Sequence, residues 1–387
     1  MESAAINLLK CEQNIQLAVV SFGKTDEFKT VDDLPIKYYM VPSCNGKNGI
    51  YNPSYETFFK QINHDFKPDV VHIHGTEYAH SLAWVKACGS SNVVVSMQGL
   101  VSVYASYYYG GISVGELLRH TTFRDVVRND SIFQQKKRMT RRGSYEVELL
   151  KTVKHVIGRT SWDMSCAWNI NAGLEYHFCN ETLRSSFYTG EWSVDKCEQH
   201  TIFLSQGHYP IKGLHKMIEA LPSILRQYPD AKVYVAGSDF IKSSFLKRNG
   251  YTDFLIHLIR KLKVEECIKF LGPLSEEKMK AQYLKSHVFV CPSAIENSPN
   301  SVGEAQLLGV PVVASYTGGT MDMVKDGVTG FLYRFEETSL LAYRICQLFA
   351  DDNLCSQLSE QERIVAKQRH DPAANADMLI NIYRSLV

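Results

Sequence analysis

Residues 288–315 have the sequence VFVCPSAIENSPNSVGEAQLLGVPVVAS, which contains a complete strand–helix–strand unit. The runs VFVCP (288–292) and VPVVAS (310–315) are short and continuously apolar, which is typical of parallel strands buried on both faces. A polar loop follows the first run, and we expect a helix to start near Val302 with Ser301 as its N-cap. This unit predicts an α/β protein with parallel sheets.

Similar units lie on both sides of this stretch, because short apolar runs alternate with helix-length amphipathic segments along most of the chain. The other candidate strands are LAVVSF (17–22), VVHIH (70–74), NVVVSM (92–97), HVIG (155–158), TIFLS (201–205), KVYVAG (232–237) and IKFLG (268–272). Alternation of this kind implies right-handed βαβ units and open, doubly wound sheets.

The length of 387 residues suggests two domains of about 150–200 residues each. The polar, unperiodic stretch GEWSVDKCEQH (190–200) separates two series of strands and helices. We therefore predict one domain over 1–195 and a second over 196–370. An amphipathic helix over 371–387 follows and could pack back on the first domain. The chain opens as a helix where an α/β domain normally opens with a strand, so a first strand is expected to be missing.

The composition argues against several classes of protein. Lysine and arginine total 42 against 41 aspartate and glutamate, so the net charge of +1 gives no general reason to bind nucleic acid. The ten cysteines occur without any C-x-x-C pair and fit free thiols in a reducing cytosol. Neither a membrane-spanning run nor a secretion signal is apparent. We therefore expect a cytoplasmic protein.

The segment 104–142 combines aromatic residues with positive charge. Its tyrosines are Tyr104, Tyr107, Tyr108 and Tyr109. Its basic residues are Arg119, Arg124, Arg128, Lys136, Lys137, Arg138, Arg141 and Arg142, against Asp125 and Asp130. Such a stretch could rest on an anionic membrane surface or face a lipid-linked acceptor. The alternative is a solvated helix face that packs through Phe123, Val127, Ile132 and Phe133.

The loop inside 288–315 is the main candidate site, because ligands of open α/β sheets lie beyond the carboxyl ends of strands. The helix start after it offers unpaired N–H groups and a positive dipole end, which suit a nucleotide diphosphate. Glu296 lies at the strand tip and Glu304 one turn into the helix, so they could accept hydrogen bonds from hydroxyls on two parts of a nucleotide sugar. The alternative for Glu304 is a capping box with Ser301.

The spacing of Glu296 and Glu304, with seven residues between them, resembles the E-x7-E signature of glycosyltransferase family 4. PIKGLHKMIEALPSI (210–224) resembles the lysine–glycine loop of that family, and VPVVASYTGGTMDMVKDGVTGFLY (310–333) its closing strand and glycine pair. PDVVHIHG (68–75) resembles a strand of its acceptor domain. The resemblance implies retaining transferases of GT-B architecture, in which two doubly wound Rossmann-like domains face each other across a cleft.

The resemblance also implies roles for residues. The domain over 1–195 would bind the acceptor, and the domain over 196–370 the nucleotide sugar. Glu296 would contact the donor sugar, Glu304 the ribose and Lys212 the diphosphate, with Glu296 and Lys212 as the catalytic pair. The further donor-binding candidates are Asn300, Ser301, Gly213, Gly318 and Gly319.

The implied reaction moves a sugar from a nucleoside diphosphate sugar to a hydroxyl of a glycan or lipid-linked acceptor, in polysaccharide or capsule biosynthesis. No Asp-x-Asp metal motif is present. We therefore expect no metal and no cofactor, with Lys212 neutralising the leaving phosphate in place of a divalent ion.

The sequence departs from the family pattern at four places. Gln206 and Gly207 stand where an arginine is usual, and His208 could replace it only when protonated. Gln98 stands where a histidine near the reacting carbon is common, and an amide cannot titrate. Asp322 replaces a glutamate. The family's first strand and glycine-rich loop have no counterpart before Glu2.

Further cleft candidates lie in the first half, after strand ends. They are Gln98, Gly99, His74 and Arg159, to which His208 of the second half is added. His72 and His74 alternate on one strand and share a face, but as a metal pair they lack a third ligand, so a structural or cleft-lining role is favoured. Two other functions stay open: a sugar-nucleotide epimerase of the same fold, and a catalytically impaired nucleotide- or glycan-binding protein.

Overall fold

The computed structural model describes residues 8, 9, 12, 14–23, 27–33, 35–43, 50–242 and 244–387. Most of the predicted opening helix therefore lies outside the described residues. Two compact units are present. The first consists of Met1–Ala105, Lys137–Thr182 and Asp371–Val387, and the second of Ser106–Lys136 and Leu183–His370. The domain division at 195 and 370 stays a prediction.

The described residues of the first unit form two sheets. The smaller has the order β1-β3-β2, with β1 and β3 parallel and β2 antiparallel to β3; its strands are β1 (Leu17–Gly23), β2 (Lys29–Asp33) and β3 (Ile36–Pro42). The larger is fully parallel in the order β4-β5-β6-β7, and its strands are β4 (Val71–His74), β5 (Val93–Ser96), β6 (His155–Gly158) and β7 (Glu175–Phe178).

The second unit contains one fully parallel sheet in the order β10-β9-β8-β11-β12-β13. Its strands are β8 (Glu198–Leu204), β9 (Lys232–Val235), β10 (Ile268–Phe270), β11 (Ser286–Cys291), β12 (Val312–Ser315) and β13 (Phe331–Tyr333). From β8 the chain builds outward through β9 and β10. It then returns to place β11 beside β8 and builds outward on the other side. The order therefore reverses between β8 and β11.

Helices connect these strands. In chain order they are α1 (Ser54–Phe66), α2 (His80–Cys88), α3 (Val101–Tyr104), α4 (Val114–Arg119), α5 (Phe123–Arg128), α6 (Ile132–Thr152), α7 (Ser161–Ile170), α8 (Leu214–Leu225), α9 (Gly250–Leu262), α10 (Glu276–Lys285), α11 (Asn300–Leu308), α12 (Thr320–Met323), α13 (Thr338–Ala350), α14 (Asp352–Arg369) and α15 (Pro372–Arg384). None of the helices that the structure describes is long and apolar enough to cross a membrane.

Each unit has a buried core of the kind that the apolar runs predict. In the first unit, the central strand β5 contributes Val93 and Val95, which are fully buried beside Val156 of β6. Ile382 of α15 packs with Val94 and Ile157, so the last helix lies against the larger sheet of this unit. The strands predicted from sequence are all present, which confirms the α/β prediction.

The second unit includes the separate segment Ser106–Lys136, which is tied to the rest of the unit by hydrogen bonds between distant residues. The buried carboxylate of Asp125 accepts a hydrogen bond from Gly250 N at 2.7 Å. Thr122 Oγ1 donates to the carbonyl of Arg248 at 3.0 Å, and His215 Nε2 donates to the carbonyl of Gly110 at 2.8 Å. These bonds fix α4 and α5 in the second unit.

Candidate functional site

The strand order of the second unit identifies the place where a ligand is expected. Open α/β sheets bind ligands beyond the carboxyl ends of strands, at the point where the strand order reverses. Here that point lies between β8 and β11. Lys212 is in the loop after β8 and Glu296 in the loop after β11. The topology therefore brings these two predicted catalytic residues to one location.

Lys212 and Glu296 form a close ion pair. Lys212 Nζ lies 2.5 Å from Glu296 Oε1, and Ser293 Oγ donates to the same oxygen at 2.7 Å. The two side chains are 23% and 9% exposed. Burial on its own lowers the pKa of Lys212, but the attraction and hydrogen bond of Glu296 outweigh it and the net pKa is raised. Lys212 is therefore a cation at neutral pH. The sequence placed both residues in the site but did not predict that they pair.

Glycines allow three loops to pack closely around this pair. Gly213 has φ 68°, and a Cβ there would clash with the carbonyl oxygen of Pro292. Gly318 has φ 53°, and a Cβ there would clash with the carbonyl oxygen of Glu296. Gly319 N donates to that same oxygen at 2.9 Å. Close backbone approach at these glycines thus serves the contact between the loops after β8, β11 and β12.

The start of α11 differs from the prediction. The helix begins at Asn300, with Pro299 at the N-cap and no side-chain cap hydrogen bond. The predicted start near Val302 with Ser301 as N-cap is therefore wrong, and so is the capping box between Ser301 and Glu304. The physical reason is that Pro299 has an extended backbone conformation at the N-cap, so the helix begins two residues earlier than predicted. Asn300 is exposed and Ser301 is half-buried, with its carbonyl accepting a hydrogen bond from Tyr283.

Glu304 instead pairs with an arginine that sequence reasoning missed. Arg184 Nε and Nη2 each donate to one carboxylate oxygen of Glu304 at 2.7 Å, which is a bidentate pair. The guanidinium also lies 4.6 Å from the ring centroid of Phe187. Burial raises the pKa of Glu304, and Arg184 offsets part of that rise. The only sequence signal for Arg184 was a lone arginine before an apolar turn.

The loop after β12 leads into a short helix. Gly319 is the N-cap of α12, Thr320 is its first helical residue and Val324 is its C-cap. Gly327 lies in the next turn with φ 72°. Burial lowers the pKa of His208 below its ordinary 6.5, so its imidazole is neutral at pH 7 and does not supply the missing cation.

The candidates of the first unit occupy the carboxyl ends of the larger sheet. Gln98 and Gly99 follow β5, and Arg159 follows β6. Arg159 is buried and pairs with Glu181 at 2.6 Å. His74, the exposed last residue of β4, stacks on His72 with ring centroids 3.9 Å apart.

His72 is held by structural contacts. Its Nε2 lies 2.5 Å from Ser96 Oγ, and its Nδ1 lies 2.6 Å from the hydroxyl of Tyr383 in α15. These bonds link β4, β5 and the last helix. They support the structural role that the sequence favoured for this histidine.

Glu146 was not identified from the sequence, although it organises the loop after Gln98. This fully buried side chain of α6 accepts hydrogen bonds from the N–H groups of Val101 at 3.1 Å and Ser102 at 2.8 Å. It also accepts from the hydroxyls of Ser102 and Thr76, each at 2.5 Å. Burial raises its pKa, and these donors partly offset the rise. Glu146 therefore fixes the backbone that carries Gln98 and Gly99.

Part of the chain matches a known family. Residues 192–365 match the model for glycosyl transferases group 1. The D-inositol 3-phosphate glycosyltransferase of Corynebacterium urealyticum is 30% identical over 176 residues, which are 46% of this chain and 41% of the relative. Spore coat protein SA of Bacillus subtilis is 26% identical over 175 residues, 45% of each chain. The matches thus span less than half the length of these curated relatives.

Solved structures of similar fold cover much more of the chain. Sucrose-phosphate synthase from Thermosynechococcus elongatus has a TM-score of 0.74 at 16% identity, covering 98% of this chain and 91% of that one. HepE from Anabaena, in complex with UDP-glucose, has a TM-score of 0.64 at 18% identity, covering 85% and 82%. These likenesses confirm the predicted GT-B fold class.

Proposed function

Because residues 192–365 match the model for glycosyl transferases group 1, we propose that the chain transfers a sugar from a nucleoside diphosphate sugar to a hydroxyl of a glycan or lipid-linked acceptor. We further propose that the anomeric configuration is retained and that the product enters polysaccharide or capsule biosynthesis. The observation that carries the proposal is the buried Lys212–Glu296 pair at the reversal point of the second sheet.

The pair suits the departure of an anionic diphosphate. An ammonium has three N–H donors, so Lys212 can hold Glu296 with one and phosphate oxygens with others. Because the side chain is largely buried, its charge acts through a less polarisable medium than water and stabilises the leaving group more strongly. Glu296 has acceptor capacity beyond its two hydrogen bonds and would receive hydroxyls of the donor sugar.

The proposed step breaks the bond from the anomeric carbon to the diphosphate oxygen and forms a bond from that carbon to the acceptor oxygen on the same face. The acceptor's proton passes to a departing phosphate oxygen. Gln98 can orient groups near the reacting carbon by hydrogen bonding but cannot take that proton. This chemistry needs no metal ion. Because Gln206 and neutral His208 supply no second cation, the leaving group depends more heavily on Lys212 and on the start of α11.

Glu304 would bind the ribose while it remains paired with Arg184. A carboxylate offers about four lone-pair sites, and the guanidinium uses two of them. Arg184 favours the ionised form of a buried acid whose pKa would otherwise rise further. Ionised Glu304 accepts two hydrogen bonds from vicinal hydroxyls, which a protonated acid cannot do as well.

Contact with a membrane through the 104–142 region is a further part of the proposal. The alternative of a packed helix face accounts for Ile132, which is 8% exposed. It does not account for Phe123, Val126 and Val127, which are 70%, 68% and 65% exposed on α5. Exposed apolar side chains beside exposed arginines are typical of a surface that rests on anionic lipid.

The membrane part is tested by sedimentation with vesicles of phosphatidylcholine alone or mixed with phosphatidylglycerol. We expect binding to the anionic vesicles and its loss in a Phe123→Ser, Val127→Ser variant. Equal sedimentation of the two proteins with anionic vesicles would contradict this assignment.

The transfer reaction is tested with a panel of nucleoside diphosphate sugars, beginning with UDP-glucose because HepE was solved with it. Products are analysed by mass spectrometry with and without a sugar acceptor. A glycosylated acceptor supports the proposal. Conversion of the donor without any acceptor would instead favour an epimerase, and binding without turnover would favour a non-catalytic binding protein.

A further inference from the structure

A cluster of three metal-ligating side chains lies at the edge of the larger sheet in the first unit. His155 begins β6, and Glu175 begins the neighbouring strand β7 directly opposite it. His177 is two residues further along β7 and so points to the same face as Glu175. The register of two adjacent parallel strands therefore brings all three side chains together.

The ligand atoms of this cluster are close enough to share one ion. His155 Nδ1 lies 3.1 Å from His177 Nε2 and 3.7 Å from Glu175 Oε2. His177 Nε2 lies 4.0 Å from Glu175 Oε1. An ion about 2.1 Å from both nitrogens would subtend an angle of about 95° between them, which lies between octahedral and tetrahedral values.

The surroundings also suit a cation. His177 is only 14% exposed, and its Nε2 faces His155 Nδ1. His155 is buried, whereas Glu175 is 50% exposed, so an ion can enter from solvent along the carboxylate side. Lys154 Nζ lies 3.5 Å from Glu175 Oε2 and is the charge with which an arriving ion must compete.

We propose that His155, Glu175 and His177 bind one divalent transition-metal ion, for which Zn²⁺ is the representative, and that this ion fastens the edge strand β7 to β6. Two imidazoles and one carboxylate, with a remaining position for water, are an ordinary ligand set for such ions. In the described part of the chain, this is the one group of three such side chains close enough together to hold a metal.

The site is separate from the proposed transfer chemistry. His155 and Glu175 stand at the amino ends of their strands, whereas Gln98 and Arg159 follow the carboxyl ends of β5 and β6. The ion would therefore act on stability. Because binding to the folded chain alone stabilises it, saturating Zn²⁺ should raise the midpoint of thermal unfolding.

The competing explanation is a simple hydrogen bond between the two imidazoles with Glu175 nearby. Titration of chelator-treated, full-length protein with Co²⁺ and with Zn²⁺ separates the two. We expect one ion per chain that is lost, or bound at least about 10-fold more weakly, in His177→Gln and in Glu175→Gln. His74→Gln, in the stacked histidine pair on β4, is the matched control and should bind like the unchanged protein. The exposed position of Glu175 keeps that variant folded even where a histidine variant is not.

Lys154→Gln gives a test of opposite sign. Removing the competing ammonium should tighten Co²⁺ binding by a few fold, since the carboxylate is released and the local positive charge falls. The visible spectrum of bound Co²⁺ should show nitrogen and oxygen ligation without thiolate charge-transfer bands. Binding that is equal in all variants, binding through thiolates, or no binding at all would overturn the proposal.

Discussion

Replacing Lys212 by methionine removes the positive partner of a carboxylate that is 9% exposed. Breaking a buried pair by deleting one member costs about 3–5 kcal/mol, because the other charge stays buried without compensation. Here Ser293 still donates to Glu296, and Lys212 is 23% exposed, so we expect a smaller loss of about 2–3 kcal/mol in the free energy of unfolding. Changing Glu296 to glutamine as well removes the orphaned charge. The double variant should lie within about 1 kcal/mol of the unchanged protein.

Activity should respond differently from stability. Lys212 is proposed to stabilise charge that develops on the leaving diphosphate, and loss of one such group typically costs about 10²–10³ in kcat. The second substitution restores no cation, so the double variant should be as inactive as the single one. Recovery of stability without recovery of activity is therefore the expected signature of this pair.

The measurements are scanning calorimetry and the rate of nucleoside diphosphate release. A loss of about 2–3 kcal/mol corresponds to a fall of about 4–12 °C in the unfolding midpoint for a unit of this size. Lys242→Met is the control, since Lys242 is 87% exposed in its pair with Asp239 and should change the midpoint by little. If the losses in the free energy of unfolding caused by Lys212→Met alone and by Glu296→Gln alone simply add in the double variant, the two residues are not coupled and the reasoning is refuted.

Three further results are expected. Arg184→Gln should raise the KM for the donor by about 10-fold and make the KM rise more steeply as the pH falls, because the buried acid Glu304 loses the cation that favours its charged form. A pH-independent KM would argue against this. Gly318→Ala should lower the free energy of unfolding by at least about 2 kcal/mol and abolish most activity, because the new Cβ clashes with a backbone oxygen and the positive φ is unfavourable for alanine. Gly327→Ala has the same kind of φ but open space around it, so it should cost about 1 kcal/mol with activity retained. Equal effects of the two substitutions in calorimetry would exclude the steric explanation. Burial lowers the pKa of His287 to about 4, below the 6.5 of an unfolded chain. The neutral imidazole's contribution to the free energy of unfolding is therefore complete above pH 6.5 and is lost as the pH falls toward 4, by up to about 3 kcal/mol. His287→Gln should flatten the acid limb of the stability profile measured by denaturant unfolding.

The strands that were predicted share one property, which is a continuous run of apolar residues. Runs such as VFVCP are buried on both faces and have few other ways to fold, so their strand structure follows from their composition. Of the strands that the structure describes, four were missed. Two of these, β3 with the sequence IKYYMVP and β13 with FLY, are largely apolar, so the lack of an apolar run explains only the other two. Strand β2 has the sequence KTVDD and strand β7 EYHF, and these polar edge segments are strands because their neighbours supply the hydrogen bonds.

The residues of the candidate site also divide into those that could be predicted and those that could not. The positions of Lys212 and Glu296 could be predicted because strand ends, glycines and spacing are local in sequence. Arg184 could not be paired with Glu304, nor Glu146 with the loop at Val101, because these partners are 120 and 45 residues apart. The N-cap of α11 was assigned wrongly for a local reason. Ser301 and Glu304 have the spacing of a capping box, and this pattern was given more weight than Pro299 before it.

The assembly of the second unit from two separated stretches has a consequence for how the protein can be made and cut. Asp125 leaves the ribosome long before Gly250, its partner, so a closure spanning 125 residues must form before α5 is held in place. A gene fragment that begins at Leu183 would omit these helices and uncover the His215 imidazole that Gly110 satisfies. Work on the second unit by itself therefore requires a permuted or two-piece gene that restores Ser106–Lys136.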